Sequence, residues 1–416
     1  MNRLYNISSF LNYKNNKLCI GGIYYDELIK KSQTPLVCIS LDRVKDNINI
    51  LKREFDDLNI KYRIHYAVKA SYFKPVLSLM KKEKIGAEVI SENELKIATL
   101  AGFSGQEIIF NGLGRDGLEI YKSLQRGVVV NINSLSELKK LERLRMPMRG
   151  FKIGLRIHPS FKGDGNFVKK EGKLGMSYKE IVKSIDCAAK LGLIISGFSY
   201  HIFSNQTSIL NFSKPLKELS RFISSIKKNK NIIKLEYVDI GGGIAPRMIF
   251  KEDQSLQKFI KQIAVTFKNN YSDDVTLLIE PGRYMVSDAT VIVSKVKGVK
   301  ETKVGTWAIL DIGTNYLIPA LGADFKVLVC KKNKFKESKY TNFVDRICSP
   351  AGFIERTQIK VKEGDMIAVT NCGAYTSVMK EEFVFSSPEH FFMSKGKIVG
   401  KIKAASFDSF LKYHGW

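Results

Sequence analysis

Short apolar runs and helical segments alternate along most of this chain. Between residues 64 and 279, β-branched and aromatic runs recur, and most are followed by a segment whose apolar residues repeat every three or four positions. The predicted strands comprise residues 64–68, 87–90, 108–111, 128–132, 154–157, 198–202, 237–240 and 277–279. Eight strands that alternate with helices favour an α/β fold with one parallel (β/α)8 TIM barrel, although two Rossmann-like halves would give a similar count.

The pattern changes after Arg283. Short runs separated by turns predict strands at residues 291–296, 306–310, 326–329, 359–361, 366–370 and 398–402. Residues 1–35 are too polar to form a domain by themselves, whereas residues 36–39 form an apolar run typical of a buried strand. We therefore expect a barrel over residues 36–283 and a C-terminal β domain over residues 284–416, which the N-terminal segment 1–35 joins.

The chain is strongly basic, with 67 lysine and arginine residues against 41 acidic residues and a net charge of +26. Nucleic-acid binding would require these cations on one face, yet the lysines are spread along the chain, with only short runs such as residues 227–230 and 331–334. We interpret them as solvated surface residues and expect no nucleic-acid partner. The positive field would still attract anionic ligands or an acidic carrier protein.

The patterns of membrane and secreted proteins are missing from the sequence. No run reaches the roughly 18 consecutive apolar residues of a membrane-spanning helix, so we expect a cytoplasmic protein without membrane contact. The six cysteines, at positions 19, 38, 187, 330, 348 and 372, show neither a C-x-x-C pair nor metal-ligand spacing with the five histidines. We predict no zinc site and no structural disulfide.

A single lysine, Lys69, ends the first predicted barrel strand. In a chain this rich in lysine, a side chain that points into solvent is the better interpretation of any one lysine taken alone. A desolvated amine at the mouth of a barrel loses its charge more easily, however, and can form a Schiff base with an aldehyde. The other strand ends decide between the two interpretations.

Ligand-binding groups of (β/α)8 barrels lie at the carboxyl ends of the strands. At these positions the chain carries Lys69, Glu88, Ser91, His201-Ile202-Phe203-Ser204, Gly241-Gly242-Gly243 and Glu280-Pro281-Gly282-Arg283. Three successive glycines let a backbone approach an anion closely, but alone they are more often a loose turn. Gly282 and Arg283 after the next strand strengthen the prediction of a phosphate site, because adjacent strands place both loops side by side.

Glu280 would be unfavourable beside a phosphate unless it faced a cation. The protonated ring nitrogen of pyridoxal phosphate (PLP) is such a cation, so a lysine, a phosphate site and a carboxylate on one rim together suggest this cofactor. His201 could then stack flat on the ring. Considered alone, His201 would be interpreted as a core histidine with satisfied hydrogen bonds.

Seven motifs at these strand ends and in the β domain carry a family resemblance. They are Tyr66-Ala67-Val68-Lys69-Ala70, Gly86-Ala87-Glu88-Val89-Ile90-Ser91, His201-Ile202-Phe203-Ser204, Gly241-Gly242-Gly243, Glu280-Pro281-Gly282-Arg283, Cys348-Ser349-Pro350 and Gly373-Ala374-Tyr375. With them the chain resembles the fold type III PLP-dependent decarboxylases, which include diaminopimelate and ornithine decarboxylases and siderophore or carrier-protein-linked members. The resemblance implies a barrel of the alanine-racemase-like type, a C-terminal β-sandwich or β-barrel domain, and a carboxy-lyase of amino-acid metabolism.

The resemblance also implies a role for each matched residue. Lys69 would hold pyridoxal 5′-phosphate, His201 would stack on its ring, and Glu280 would pair with the ring nitrogen. The remaining cofactor contacts would come from Glu88, Ser204, Gly241, Gly242, Gly243, Gly282, Arg283 and Tyr375.

Members of this family form head-to-tail homodimers with shared active sites. By resemblance, each site takes Lys69 from one subunit and Cys348 and Tyr375 from the other. Cys348 would return a proton to the substrate's α-carbon as a general acid. A buried structural cysteine is the alternative interpretation, because free cysteines are usually buried.

Two positions depart from the family and concern the substrate. Gly352 stands where the family places an aspartate for the distal amine, and the arginine expected between Ile318 and Pro319 for a distal carboxylate is missing. We therefore expect a substrate other than diaminopimelate, lysine or ornithine, with a neutral, acidic, conjugated or carrier-linked distal end, of which an acidic one is preferred. Arg247 could replace the missing anion contact, although a surface arginine is an equally good interpretation.

Decarboxylation of an amino acid or a derivative is the predicted reaction, and Cys348 favours it. The alternatives are diaminopimelate decarboxylase itself and a PLP-dependent amino-acid racemase on the same fold, which would use the lysine and a tyrosine as opposed bases. A PLP carrier without catalytic activity ranks third, because the predicted proton donor is present.

Overall fold

The computed structural model describes residues 10–159, 172–201, 204–227, 231–250, 253–303, 305–318, 322–332, 340–349, 352–381 and 383–416. Its strands are β1 (Leu11–Lys14), β2 (Lys17–Ile20), β3 (Ile23–Tyr24), β4 (Leu36–Ser40), β5 (Tyr62–Ala67), β6 (Gly86–Val89), β7 (Ile108–Phe110), β8 (Val129–Ile132), β9 (Lys152–Arg156), β10 (Ile194–Ser199), β11 (Ile233–Asp239), β12 (Thr276–Ile279), β13 (Thr290–Thr302), β14 (Gly305–Leu310), β15 (Lys326–Val329), β16 (Thr341–Asp345), β17 (Phe353–Thr357), β18 (Met366–Thr370), β19 (Glu389–Ser394) and β20 (Lys397–Ile402). Its helices are α1 (Tyr25–Lys31), α2 (Leu41–Asp56), α3 (Lys74–Lys82), α4 (Glu92–Leu100), α5 (Gly117–Gln125), α6 (Leu135–Arg143), α7 (Tyr178–Lys190), α8 (Leu210–Lys227), α9 (Asp253–Lys268), α10 (Arg283–Val286) and α11 (Phe407–Tyr413). Within these described ranges, no helix combines the length and the apolar character needed to cross a membrane.

The chain divides into two compact units. Unit 1 comprises Met1–Asn47 and Met285–Trp416, and unit 2 comprises Ile48–Tyr284. Unit 2 is a closed barrel of eight parallel strands, β5 to β12, which follow one another around the ring in chain order. The closed ring confirms the (β/α)8 prediction and excludes two Rossmann-like halves.

Several barrel strands begin earlier than the sequence predicts. β10 begins at Ile194 rather than at residue 198, and β11 begins at Ile233 rather than at residue 237. Ser196 and Glu236 interrupt the two apolar runs, so the pattern alone starts each strand too late. Residue 202, the predicted end of β10, lies outside the described residues.

Unit 1 is rich in β-structure, as predicted for the C-terminal domain. It contains a nine-stranded sheet, in which β13 pairs with β4, β14 and β18, and a small sheet of β1, β2 and β3. β4 falls within the segment expected to form the barrel, but it pairs with β13 and β19 and places Val37 opposite Ile292. Because β4 is buried along its whole length, its apolar run equals that of a barrel strand, and only the pairing distinguishes them. The barrel strands therefore start at β5.

The strands β1, β2 and β3 and three strands of the nine-stranded sheet, β16, β17 and β19, are not apparent in the sequence. β16 buries Thr341, Asn342 and Asp345, and these polar residues conceal the strand. β17 and β19 likewise mix charged with apolar residues. Conversely, residues 359–361 were predicted to form a strand, but they lie in an irregular segment between β17 and β18.

An apolar cluster crosses the inside of the barrel. Ile109, Tyr237 and Leu278 pack together although their strands, β7, β11 and β12, are not all neighbours. Two glycines make room for the tyrosine: a Cβ at Gly197 would lie 2.2 Å from its ring atom Cζ, and a Cβ at Gly154 would lie 2.2 Å from its hydroxyl. The interior of the barrel is therefore shaped around Tyr237.

The inside of the barrel becomes polar toward the carboxyl ends of the strands. Asn111, Asp239 and Glu280 stand two residues beyond the members of the apolar cluster, and all three are buried. Because side chains alternate between the two faces of a strand, these groups point to the same side as the cluster. The fold thus gathers polar side chains at the end where barrel enzymes bind their ligands.

Candidate active site

Lys69 lies immediately after β5, in the short turn Val68–Ala70. Its amine forms an ion pair with the carboxylate of Glu88 on β6, the neighbouring strand. The Glu88 side chain is 2% exposed and that of Lys69 is 32% exposed. The structure thus brings these two predicted site residues together and leaves the lysine side chain accessible from the barrel mouth.

Glu280 follows β12 and is buried, and its carboxylate accepts a hydrogen bond from the Asn111 side chain. Burial raises the pKa of Glu280 well above its ordinary value, and the charges of Asp239 and Glu88 raise it further, while Lys69 opposes them. Burial also raises the pKa of Asp239, to about 6. The buried carboxyl groups of Glu280, Asp239 and Glu88 carry more negative charge than the neighbouring cations balance. A protonated ring nitrogen therefore fits the environment of Glu280.

His201 follows β10 and is half-buried. Its Nδ1 accepts a hydrogen bond from the Gly242 backbone N–H at 3.0 Å. Burial, assisted by the positive charges of Arg156 and Lys69, lowers the pKa of His201 to about 3. A neutral imidazole fixed by the glycine loop is suited to stacking on an aromatic ring.

The glycine loop after β11 has a backbone that side chains would disrupt. Gly241 and Gly243 have φ angles of +70° and +89°, and a Cβ at Gly242 would lie 2.3 Å from the Glu280 carbonyl oxygen. The Gly241 N–H donates to the Asp239 carboxylate at 2.9 Å. The loop is therefore tightly packed, which excludes the interpretation as a loose turn and suits close approach to a phosphate.

The second predicted phosphate loop follows β12, which pairs with β11. Gly282 precedes α10, and Arg283 is the buried first residue of that helix. Ser204 is exposed and lies beyond residues 202 and 203, which are outside the described residues, as is Pro350 of the cysteine motif. The loops after β11 and β12 therefore start from adjacent strands, as predicted.

Cys348 and Tyr375 belong to unit 1. Cys348 is exposed just after β16, which excludes the alternative of a buried structural cysteine. By contrast, Cys372 is buried, and burial raises the pKa of its thiol well above the ordinary value. Tyr375 has a left-handed φ of +63° and is half-buried. Cys348 is thus the accessible thiol of the two.

Gly352 has no room for the expected aspartate. A Cβ there would lie 2.0 Å from Oδ1 of Asp345, whose carboxylate accepts hydrogen bonds from the Thr314 N–H at 2.8 Å and the Ile347 N–H at 3.2 Å. Another carboxylate therefore occupies this space. Arg247 is half-buried in the turn after the glycine loop. The missing arginine would stand between Ile318 and Pro319, and Pro319 lies outside the described residues.

Several polar residues of the site were not identified from the sequence. They are Asn111, Asn131, Arg156, Tyr237 and Asp239. Each is an inward-facing residue within or just after an apolar strand, a position at which a buried polar side chain indicates a ligand or a hydrogen-bond partner. Arg156 is buried among the carboxylates, and this burial lowers the pKa of its guanidinium, which the acids partly restore.

The chain matches a family model described as "Pyridoxal-dependent decarboxylase, pyridoxal binding domain" over residues 41–287. Similar curated proteins include the diaminopimelate decarboxylase of Methanothermobacter thermautotrophicus, 26% identical over 92% of this chain and 91% of the relative. The diaminopimelate decarboxylase of Archaeoglobus fulgidus is 28% identical over 88% of this chain and 89% of the relative.

Solved structures of the same fold include diaminopimelate decarboxylase from M. jannaschii, with a TM-score of 0.84, 24% identity and 97% coverage of both chains. Lysine decarboxylase from Selenomonas ruminantium superposes with a TM-score of 0.72 at 23% identity and covers 86% of this chain and 92% of its own. These structural likenesses support the barrel and the β-rich domain as one known architecture.

Replacing Lys69 by alanine is predicted to abolish the covalent link to PLP, because Lys69 supplies the amine at the carboxyl ends of the barrel strands. Wild-type protein should be yellow, and borohydride reduction should fix the cofactor to the peptide that contains Lys69, as measured by mass spectrometry. Lys81→Ala is the control, since Lys81 pairs with Glu107 at 2.6 Å on the surface. A colourless wild type that takes up no PLP, or a label on another lysine, would contradict the assignment.

Proposed function

The chain belongs to the pyridoxal-dependent decarboxylases, and on that basis we propose that it removes the α-carboxylate of meso-diaminopimelate or a closely similar amino acid. It is a PLP-dependent carboxy-lyase. The substrate proposal is supported by relatives named diaminopimelate decarboxylase that match about nine-tenths of the chain. The expectation that diaminopimelate, lysine and ornithine are poor substrates finds no support among these relatives.

The observation that carries the reaction is the arrangement of Lys69, Glu88 and Glu280 at one end of the barrel. PLP supplies the electron-accepting ring that stabilises the α-carbon when the carboxylate leaves as CO2. In our proposal Lys69 holds the cofactor, the ionised Glu280 keeps the ring nitrogen protonated, and neutral His201 packs on the ring. The ion pair with Glu88 holds the Lys69 amine at the carboxyl end of the barrel strands.

The phosphate would be bound by the backbone of Gly241, Gly242 and Gly243, with Gly282 and Arg283 beside them and with Ser204 and Tyr375 as further donors. Such anion sites use backbone N–H groups that approach closely because no side chain intervenes. Cys348 would return a proton to the α-carbon after CO2 departs. Its exposure fits that role, since a donor must be accessible to the substrate.

Arg346, two residues before Cys348, is our candidate for the contact with a distal carboxylate. Its guanidinium lies 3.6 Å from the centre of the Phe385 ring, and it forms no ion pair with any residue that the structure describes. The backbone is held by hydrogen bonds next to Arg346 and at Phe385: the Ile347 N–H donates to Asp345 at 3.2 Å, and Asn315 Nδ2 donates to the Phe385 carbonyl at 3.0 Å. A cavity of about 520 Å³ adjoins this pair. Stacking leaves the edge of a guanidinium available to a carboxylate.

A second candidate substrate is an amino acid with an acidic, conjugated or carrier-linked distal end. Gly352 favours it, because the family's aspartate is absent and Asp345 already accepts hydrogen bonds within the chain. The net charge of +26 would favour an acidic carrier. The racemase alternative has no comparable support, and the cytoplasmic location expected from the sequence remains a prediction.

Purified enzyme is predicted to release CO2 from meso-diaminopimelate faster than from lysine or ornithine, because only meso-diaminopimelate offers Arg346 a distal carboxylate. Arg346→Gln should raise KM for meso-diaminopimelate roughly ten- to a hundredfold with kcat little changed, as expected for a lost hydrogen bond to a charged group. The matched control is Arg356→Gln. Arg356 is also an exposed arginine stacked on an aromatic ring, with its guanidinium 4.9 Å from the centre of the Tyr340 ring.

Two results would overturn the substrate proposal. If a glutamate-type or carrier-linked substrate is decarboxylated while meso-diaminopimelate is inert, the second candidate replaces the first. If meso-diaminopimelate reacts but Arg346→Gln and Arg356→Gln give equal KM values, another residue binds the distal carboxylate.

Homodimerisation is proposed to complete each site, with Lys69 and Cys348 contributed by different subunits. Mixing inactive Lys69→Ala with inactive Cys348→Ala should then restore about a quarter of wild-type activity, since random exchange makes half the dimers hybrid and each hybrid has one intact site. Activity and the proportion of hybrids are measured in the same mixture. Hybrids without activity would place both residues in one chain's site or place Cys348 outside catalysis.

A further inference from the structure

A chain of hydrogen bonds runs through the buried interior of the barrel and ends on Glu280. The Tyr237 hydroxyl donates to Oδ1 of Asn131 at 2.7 Å, and Nδ2 of Asn131 donates to Oδ1 of Asn111 at 2.8 Å. Nδ2 of Asn111 then donates to the Glu280 carboxylate. All four side chains are buried. We call these three hydrogen bonds the amide chain.

The direction of the amide chain is set at its far end. Burial and the neighbouring charge of Asp239 raise the pKa of Tyr237 well above its ordinary value, so its hydroxyl keeps the proton and can donate it. Each asparagine then turns its oxygen toward Tyr237 and its NH2 group toward Glu280. The amide chain therefore presents an N–H donor, rather than an acceptor, to the carboxylate.

The same two amides also reach the other acids. Asn111 Nδ2 lies 3.4 Å from Oε1 of Glu88, and Asn131 Nδ2 lies 3.4 Å from Oδ2 of Asp239. Each contact uses an NH2 group whose orientation is already fixed by the amide chain. The amide chain thus directs N–H donors toward all three buried carboxyl groups, those of Glu280, Glu88 and Asp239.

Two strands have a glycine where the Tyr237 side chain meets the Asn131 amide. A Cβ at Gly154 would lie 1.9 Å from Oδ1 of Asn131 and 2.2 Å from the Tyr237 hydroxyl. A Cβ at Gly197 would lie 2.2 Å from the Tyr237 ring. Glycine in a strand costs stability because it adds no packing and more backbone entropy. The contact between Tyr237 and Asn131 therefore depends on Gly154 and Gly197, although glycine is an unfavourable residue within a strand.

We propose that Asn111, Asn131 and Tyr237 are positioning residues that orient Glu280 toward the ring nitrogen of PLP and favour its ionised form. A hydrogen bond donated to a carboxylate favours its charged form and opposes the effect of burial and of nearby acids. This inference rests on the proposed role of Glu280. The charged and titratable groups that face Glu280 are Lys69 after β5, Glu88 on β6, Arg156 on β9, His201 after β10, and Tyr237 and Asp239 on β11.

The test uses the full-length protein with Tyr237→Phe, which removes only the hydroxyl, and Asn111→Leu, which has nearly the same size and no donor. Each variant is reconstituted with PLP, and two quantities are measured: the dissociation constant of PLP and the absorbance of the bound cofactor as a function of pH. Asn111→Leu should weaken PLP binding about tenfold or more, and Tyr237→Phe about threefold to tenfold, because one hydrogen bond to a charged group is lost or misdirected. In both variants the cofactor's ring nitrogen should lose its proton at lower pH, and kcat should fall more than KM rises.

The matched control is Tyr271→Phe, since that hydroxyl donates to the Leu216 carbonyl at 2.9 Å elsewhere in unit 2. Thermal unfolding of the apo proteins separates loss of stability from loss of cofactor binding. If Tyr237→Phe does not fold, Asn111→Leu tests the same chain from its other end. If Tyr237→Phe and Asn111→Leu bind PLP as tightly as Tyr271→Phe does and show the same pH curves, the proposed role of the amide chain is contradicted. Glu280→Gln separates the two claims: no effect there contradicts the role of Glu280, whereas an effect there alone contradicts only the chain.

Discussion

The central constraint on this protein is the burial of three carboxyl groups, Glu88, Asp239 and Glu280, at one end of a parallel barrel. An isolated buried carboxylate costs several kcal/mol, so each must be paired, hydrogen-bonded or neutral. Lys69 balances Glu88 by an ion pair, and Arg156 lies among the acids. The remaining imbalance centres on Glu280, and a protonated pyridine nitrogen meets it. The electrostatics of the site therefore favour the cofactor that the family binds.

The rest of the barrel interior supports this arrangement. Its apolar cluster of Ile109, Tyr237 and Leu278 gives way, two residues further along the same strands, to polar groups. Tyr237 belongs to both layers, because its ring packs in the cluster and its hydroxyl donates to Asn131. A barrel core built only for stability would fill these positions with branched apolar side chains. Here polar side chains that make hydrogen bonds stand at these positions instead, and such departures from the locally most stable choice are typical of functional sites.

Much of this could be predicted from the sequence, and the failures have physical causes. All eight barrel strands follow from their apolar runs, and the rule that ligands bind at strand ends selects Lys69, Glu88, His201 and the glycine loop. The apolar pattern places β4 in the barrel, because a fully buried strand has the same pattern in any sheet and its partner β13 lies some 250 residues away in the sequence. Asn111 and Asn131 were not identified, because an amide inside an apolar strand becomes meaningful only when the strands across the barrel are known. At Gly352 the sequence shows a missing aspartate, but only the structure shows Asp345 in that space.

The most direct measurement is the protonation state of the cofactor's ring nitrogen, followed by NMR of isotope-labelled PLP bound to wild-type protein and to Glu280→Gln. The account predicts a protonated nitrogen across the neutral pH range in the wild type, because an ionised Glu280 faces it in a buried site, and an unprotonated nitrogen in Glu280→Gln. An unprotonated nitrogen in the wild type, or the same protonated state in both proteins, would contradict the claim that Glu280 and its hydrogen-bond partners set the electronic state of the cofactor.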